Sequence, residues 1–95
     1  MTTKKLKEEI TSRMNCIKGF LRDAVESEDI EGIDWYIGML ESCKADLDCL
    51  TRLEEEYNFA EENNHINNLK KIAIEIVETK REIIDNNVYL QYDNN

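Results

Sequence analysis

The chain has 95 residues, a formal net charge of −9 at neutral pH and no proline. This length fits one domain with a modest core and leaves little room for a deep substrate pocket. The acidic balance argues against direct binding to nucleic acid, because such binding is driven by neutralisation of phosphates. A proline-free sequence rich in Glu, Lys, Leu and Ile favours long helices.

No stretch of the sequence has the pattern of a targeting or membrane segment. The basic start is not followed by the apolar run of a signal peptide, and no apolar run approaches the roughly 18–20 residues that span a membrane. The cysteines Cys16, Cys43 and Cys49 are odd in number, which predicts free thiols in a reducing compartment. We therefore expect a cytoplasmic protein that does not associate with membranes.

The first predicted helix covers residues 3–25. Its apolar stripe, at steps of three and four, consists of Leu6, Ile10, Met14, Ile17, Leu21 and Ala24. Phe20 and Val25 widen this stripe. The short turn that follows offers Ser27 or Asp29 as a cap for the next helix. A turn this short predicts that the first two helices are antiparallel neighbours.

The second predicted helix, residues 28–62, is the longest and most acidic. Its apolar stripe consists of Ile33, Tyr36, Leu40, Cys43, Leu47, Leu50 and Tyr57. On another face, acids recur every seventh residue: Asp34, Glu41, Asp48, Glu55 and Glu62. Residues 23–62 hold 14 acids and two bases, a net charge of −12, whereas residues 1–22 carry +4. This asymmetry is more informative than the total charge.

The third predicted helix covers residues 65–85 and follows a turn rich in asparagine. We expect Asn63 or Asn64 to end the second helix and Asn64 to cap the third. The apolar face of the third helix consists of Ile66, Leu69, Ile72, Ala73, Ile76, Val77, Ile83 and Ile84. In the tail, residues 86–95, the alternating segment 88–92 packs over the bundle, continues the helix or docks on a second protein.

These elements predict an all-α fold, an elongated antiparallel three-helix bundle that forms a single domain over residues 1–95. We find no internal repeat in the sequence. The second helix alone would span about 45 Å, which is long for a chain of this size. We therefore also expect that another copy covers part of its apolar stripe, which would make the protein a homodimer.

The sequence shows no pattern typical of catalysis or metal binding. The acidic turn resembles the middle of an EF-hand loop, but Ser27 and Gly38 stand where the two anchoring acids are needed. His65 is the only histidine, and no Cys-x-x-Cys pair occurs. Cys43 has the pattern of a buried apolar thiol. We predict that the protein is not an enzyme and uses no cofactor or metal.

The seven-residue spacing of acids is the sharpest functional feature. Residues seven apart on a helix rise about 10.5 Å and stay within about 20° of one direction, so their carboxylates form a row. Such a row predicts a regulator or inhibitor that binds the basic surface of a partner protein, in its strongest form a nucleic-acid mimic that occludes a nucleic-acid-binding protein. The small size and composition suit a phage or mobile-element regulator. The predicted contact residues are Glu31, Asp34, Trp35, Glu41, Asp48, Glu55, Glu56 and Glu62.

Three alternatives stay open at this point. The acidic face can be merely a solvated surface whose charges pair with Lys44 and Arg52, which is what most charge runs are. The protein can instead be a structural or assembly module that dimerises through apolar helix faces. Trp35 is either an outward interface anchor or buried because the second helix packs on two sides. Met39 and Leu53 broaden the apolar arc, which favours a buried Trp35.

Overall fold

The structure is a computed structural model, which describes residues 3–86. Three helices follow one another along the chain: α1 (Thr3–Glu26), α2 (Ile30–Glu62) and α3 (Ile66–Asn86). Their bounds lie within two residues of the predicted ones, and no strand occurs within residues 3–86. The predicted all-α three-helix bundle is confirmed. The alternatives for segment 88–92 concern residues outside the described part.

Helix α2 lies in the middle of the molecule. It packs against both α1 and α3, whereas α1 and α3 barely touch each other. The molecule is elongated and flat, with extents of 55 × 26 × 16 Å. Its shortest dimension is little more than the diameter of one helix, about 10–12 Å. A long strip of α2 is therefore covered by neither neighbour.

The core forms where the three apolar stripes meet. Leu50 on α2 is fully buried at its centre. Because the helices lie in a flat layer, each outer helix buries only a narrow stripe. Phe20 and Val25, which widen the predicted stripe of α1, stay exposed, and so does Val77, which was wrongly predicted to lie on the buried face of α3. The buried cluster consists of Leu6, Ile10, Ile17, Cys43, Leu50 and Ile83.

A polar contact ties the start of α1 to the second half of α2. The Nζ atom of Lys7 lies 3.0 Å from Oε2 of Glu54, and the hydroxyl of Thr3 donates to Oε1 of the same carboxylate. Thr3 is fully buried, and the Glu54 side chain is only 22% exposed. A partly buried, charge-assisted contact between distant segments fixes the position of α1 along α2.

The turn between α1 and α2 is a Schellman motif. The amide of Asp29 donates to the carbonyl of Ala24 over 2.9 Å, and Glu28 adopts a left-handed conformation with φ of 58°. Asp29 then caps α2, because its side chain accepts a 3.1 Å hydrogen bond from the amide of Gly32. Of the two predicted caps, Asp29 is the one used, whereas the Ser27 hydroxyl donates back to the backbone of α1.

The turn between α2 and α3 repeats this arrangement. The amide of His65 donates to the carbonyl of Ala60 over 2.9 Å, and Asn64 is left-handed with φ of 54°. Asn63 ends α2, as predicted. The expectation that Asn64 caps α3 is wrong, because its left-handed conformation serves to terminate α2. The two turns share the pattern Ala-x-Glu-x-x-x-Ile, at 24–30 and at 60–66, a local repeat that the sequence analysis missed.

Candidate functional site

The seven acids predicted to contact a partner are all exposed on α2. We call this set the acidic face: Glu31, Asp34, Glu41, Asp48, Glu55, Glu56 and Glu62. Because α2 is unbroken from Ile30 to Glu62, the five members that are seven residues apart form a row about 42 Å long. The row winds by about 20° at each step, so it curves slowly around the helix instead of running straight.

The buried residues of α2 lie on the opposite side of the helix from this row. They are Cys43, Leu50, Leu53 and Ala60. At 100° per residue, their mean direction is about 170° from that of the acidic row. Their burial against α1 and α3 therefore turns the carboxylates toward the uncovered strip of α2.

Two acids of the acidic face are paired within the chain. The Nζ atom of Lys44 lies 4.0 Å from Oδ2 of Asp48, and Nη1 of Arg52 lies 3.2 Å from Oε1 of Glu56. Both pairs are exposed and four residues apart, so each contributes only a few tenths of a kcal/mol. Within residues 3–86, no ion pair involves the remaining five acids, Glu31, Asp34, Glu41, Glu55 and Glu62.

The charge density of α2 can be compared with that of nucleic acid. The helix carries ten acids and two bases over about 50 Å. This corresponds to one net negative charge per roughly 6 Å, against one per about 3.4 Å for a single strand of duplex DNA and one per about 1.7 Å for both strands. The helix therefore has about half the linear charge density of one DNA strand.

Trp35 lies on a different face of α2 from the acidic row. The favoured interpretation, a buried Trp35, is wrong, because its side chain is 67% exposed. Helix α2 does pack on two sides, but the described part of the antiparallel α3 reaches only to Ser42 and Asp46, about two helical turns from Trp35. Trp35 points about 100° away from Asp34 around the helix axis. A flat partner surface that meets the acidic row would not also reach Trp35.

An apolar groove between α1 and α2 adjoins Trp35. It has a volume of about 390 Å³, and the rings of Phe20 and Tyr36 stack across it with their centroids 5.8 Å apart. The sequence alone did not predict this groove, although the placement of Phe20 and Trp35 beside the predicted stripes was a signal of it. The lining residues are Arg13, Cys16, Ile17, Phe20, Trp35, Tyr36 and Met39.

A smaller cleft between α2 and α3 contains the one carboxylate whose pKa is clearly shifted within the described chain. Burial raises the pKa of Asp46. Burial also raises the pKa of the Cys43 thiol, and the charge of Asp46 adds to that shift. A thiol with a raised pKa is a poor nucleophile at neutral pH. Cys43 is thus a core residue, as predicted, and Cys16 and Cys49 are also free thiols.

The part of the chain that the structure describes places no three His, Cys, Asp or Glu side chains together as a set of metal ligands. The His65 ring instead lies edge-on to Phe59, with centroids 5.9 Å apart, at the second turn. None of the three described helices is long and apolar enough to cross a bilayer.

Comparison of the chain with family models, with curated proteins and with solved structures gives no match. Its function has therefore to be inferred from its own residues and geometry.

Proposed function

We propose that the protein is a non-enzymatic regulator that binds the basic surface of a partner protein through the acidic face of α2. The observation that carries this proposal is the exposure of the five-acid row, on the side of α2 opposite its buried residues. The face follows the longest helix for about 42 Å, and five of its seven acids have no base paired with them among the described residues. The three free thiols fit a reducing cytoplasm as its location.

The spacing of the carboxylates suits an electrostatic contact. Neighbours in the row are about 10.5 Å apart along the helix, slightly more than the Debye length of about 8 Å at physiological ionic strength. They therefore repel one another only weakly in the free protein. A basic partner surface that approaches within contact distance interacts with several of them at once, so association should be fast at low salt and should weaken as salt rises.

The strongest form of this proposal is that the partner is a nucleic-acid-binding protein and that α2 occupies its binding groove. The row on helix α2 carries one acid per about 10.5 Å, about a third of the charge density of one DNA strand. It would therefore compete best for a groove that contacts a single backbone. Regulators of phages and mobile elements are the class of protein that the composition suggests for such a role.

The test compares two variants with equal loss of charge. One neutralises acids of the row, and the matched control neutralises exposed acids on α1 and α3. The row variant is Asp34→Asn, Glu41→Gln and Glu55→Gln, and the control is Glu8→Gln, Glu75→Gln and Glu78→Gln. Partners are captured from the native host, identified by mass spectrometry, and their affinities measured between 0.05 and 0.5 M salt.

The row variant should bind the identified partner at least tenfold more weakly than the control, and wild-type binding should fall steeply as salt rises. Displacement of the partner's nucleic acid by the wild type, but not by the row variant, would support mimicry. Equal affinity of the two variants, or wild-type binding indifferent to 0.5 M salt, would contradict the electrostatic proposal.

A second candidate function is a structural module that dimerises through apolar helix faces. The observation that favours it is the exposure of Ile74 and Val77, three residues apart on α3 and each nearly half exposed. Adjacent exposed aliphatic side chains are typical of a contact surface. Sedimentation should then show a dimer that the double variant Ile74→Ser, Val77→Ser dissociates. A wild type that stays monomeric at millimolar concentration would refute this alternative.

A further inference from the structure

Helix α3 carries an exposed stripe that combines aliphatic and basic side chains. We call this set the basic stripe: Ile66, Lys70, Ile74, Val77 and Arg81. At 100° per residue, all five lie within about 40° of one direction around the helix axis. Ile66 is 67% exposed, and Ile74 and Val77 are each nearly half exposed. No ion pair among residues 3–86 involves either base of the stripe, so both bases are available to a partner.

The basic stripe and the acidic face lie on opposite sides of the molecule. A groove between α2 and α3 joins the acidic face to one side of α3. Its lining includes Glu55 and Glu56 of α2 together with Asn68, Lys71, Ile72 and Glu75 of α3. Around the axis of α3, the basic stripe points about 150° away from these four α3 residues. The two surfaces therefore cannot meet within one chain.

The acidic face has apolar side chains of its own. Ile30, Ile37 and Phe59 are exposed, and each lies within about 20° of the mean direction of the acidic row. Ile30 and Ile37 flank Asp34 along the helix, and Phe59 follows Glu55 by one turn. The two surfaces are thus complementary, because apolar side chains are interspersed with carboxylates on one and with bases on the other.

A second copy of the chain fits both surfaces at once. Contact between them would remove exposed apolar area from water and would bring the two bases of one copy to carboxylates of the next. Lys70 and Arg81 are about 16.5 Å apart along α3, a length over which the acidic row offers two carboxylates. The molecule is only 16 Å thick, so stacked copies bring whole helices into contact. The net charge of −9 opposes stacking, but salt screens this repulsion beyond about 8 Å under physiological conditions.

We propose that copies of this chain stack, with the basic stripe of α3 in one copy against the acidic face of α2 in the next. The inference rests on the second candidate function, self-association, and names the two surfaces that meet. Because these surfaces differ, the contact is heterologous and does not close on itself, so it extends into open stacks. A stacked copy has its acidic face occupied, and stacking therefore competes with a basic partner protein.

The test uses two variants of the full-length protein, each of which removes one surface. The row variant described above removes the acidic side of the contact. The stripe variant, Lys70→Glu and Arg81→Glu, removes the basic side. Its control, Lys18→Glu and Arg22→Glu, makes the same change of charge at exposed positions of α1. Circular dichroism should show that all three are folded.

Sedimentation equilibrium in 0.15 M salt measures the mean mass from micromolar to millimolar concentration. The wild type and the control should grow beyond two copies as the concentration rises, whereas the row variant and the stripe variant should each stay monomeric. An equimolar mixture of these two variants should form a 1:1 pair and grow no further. Only one contact can form in such a pair, between the basic stripe of the row variant and the acidic face of the stripe variant.

The outcomes separate this proposal from the functions on which it builds. A wild type that stays monomeric at millimolar concentration would overturn both the stacking and the second candidate function. A dimer that grows no further, and that the row and stripe variants also form, would support a symmetric apolar contact and refute the stacking. Failure of the two variants to combine in the mixture would refute it as well. None of these results alters the measured affinity for a basic partner, which tests the acidic face separately.

Discussion

The left-handed residue at the first turn allows a sharp test of the fold. Glu28 has φ of 58°, a conformation that costs an L-residue about 1–2 kcal/mol and costs glycine almost nothing. Glycine also makes the unfolded chain more flexible, which lowers the free energy of unfolding by about 0.5–1 kcal/mol and offsets part of the benefit of removing that conformational cost. We therefore expect Glu28→Gly to be more stable than Glu28→Ala by about 1 kcal/mol.

The comparison of glycine with alanine removes the effect of charge. Both variants lose the same carboxylate near the start of α2, so they differ only in the Cβ atom. The second turn provides a matched pair, because Asn64 has φ of 54° and the same hydrogen-bond pattern. The difference between Asn64→Gly and Asn64→Ala should be similar. The stability of the wild type should be closer to that of Asn64→Gly than to that of Glu28→Gly, because asparagine tolerates the left-handed conformation better than glutamate does.

Urea unfolding followed by circular dichroism measures these differences, provided that the slope with denaturant is the same for all variants. A gain in stability for both glycine variants over their alanine counterparts would confirm the shared Schellman geometry. If Glu28→Ala proves as stable as Glu28→Gly, residue 28 is not left-handed in solution, and the reasoning about this turn is refuted.

Three further predictions concern the helices. Gly38→Ala should stabilise the protein by about 0.5–1 kcal/mol, because an added methyl group meets no atom within 4 Å. Gly32→Ala should give no gain in stability, because its methyl group displaces the Asp29 side chain that caps α2. Urea unfolding that ranks Gly32→Ala as more stable than Gly38→Ala would contradict this prediction. Leu50→Ala should lower the free energy of unfolding by about 2–5 kcal/mol, since Leu50 is fully buried. A calorimetric melting temperature close to that of the wild type would show that Leu50 is not packed in the core as described. Asp46→Asn should raise stability slightly at pH 7, by less than about 0.5 kcal/mol, because burial raises the pKa of the partly exposed Asp46 and disfavours its ionised form in the folded state. This advantage should shrink as the pH falls through the raised pKa and vanish below the unperturbed pKa of 3.8. An advantage that grows toward acid would be contrary evidence.

The acidic face illustrates what a sequence can predict about a site. The positions of Asp34, Glu41 and Glu55 on one side of a helix follow from their spacing alone, because the geometry of an α-helix is local. The structure places all seven predicted acids on exposed positions. The structure also shows that two of these acids form ion pairs with bases of α2. Such pairs depend on side-chain conformations, which residue spacing suggests but does not fix.

Trp35 shows where this kind of prediction stops. Its exposure depends on which part of α2 the described residues of α3 cover, and the buried residues of α3 lie more than 40 positions away in the sequence. The apolar arc of α2 correctly indicated two neighbours, but the arc cannot show where along the helix each neighbour ends. The interaction of Lys7 with Glu54 is similar, because the stripe spacing places Glu54 between Leu50 and Tyr57 on the packed side of α2 but cannot show which base of α1 it meets.

The sequence by itself determined the three helices to within two residues and the direction of the acidic row, since hydrophobic periodicity and helix geometry act over fewer than ten residues. Tertiary structure decided which parts of each apolar stripe are buried, that the helices form a flat layer around α2, and that a groove opens beside Trp35. These properties depend on the relative lengths and packing of helices that are distant in sequence, and burial of apolar area responds to the whole arrangement of the chain.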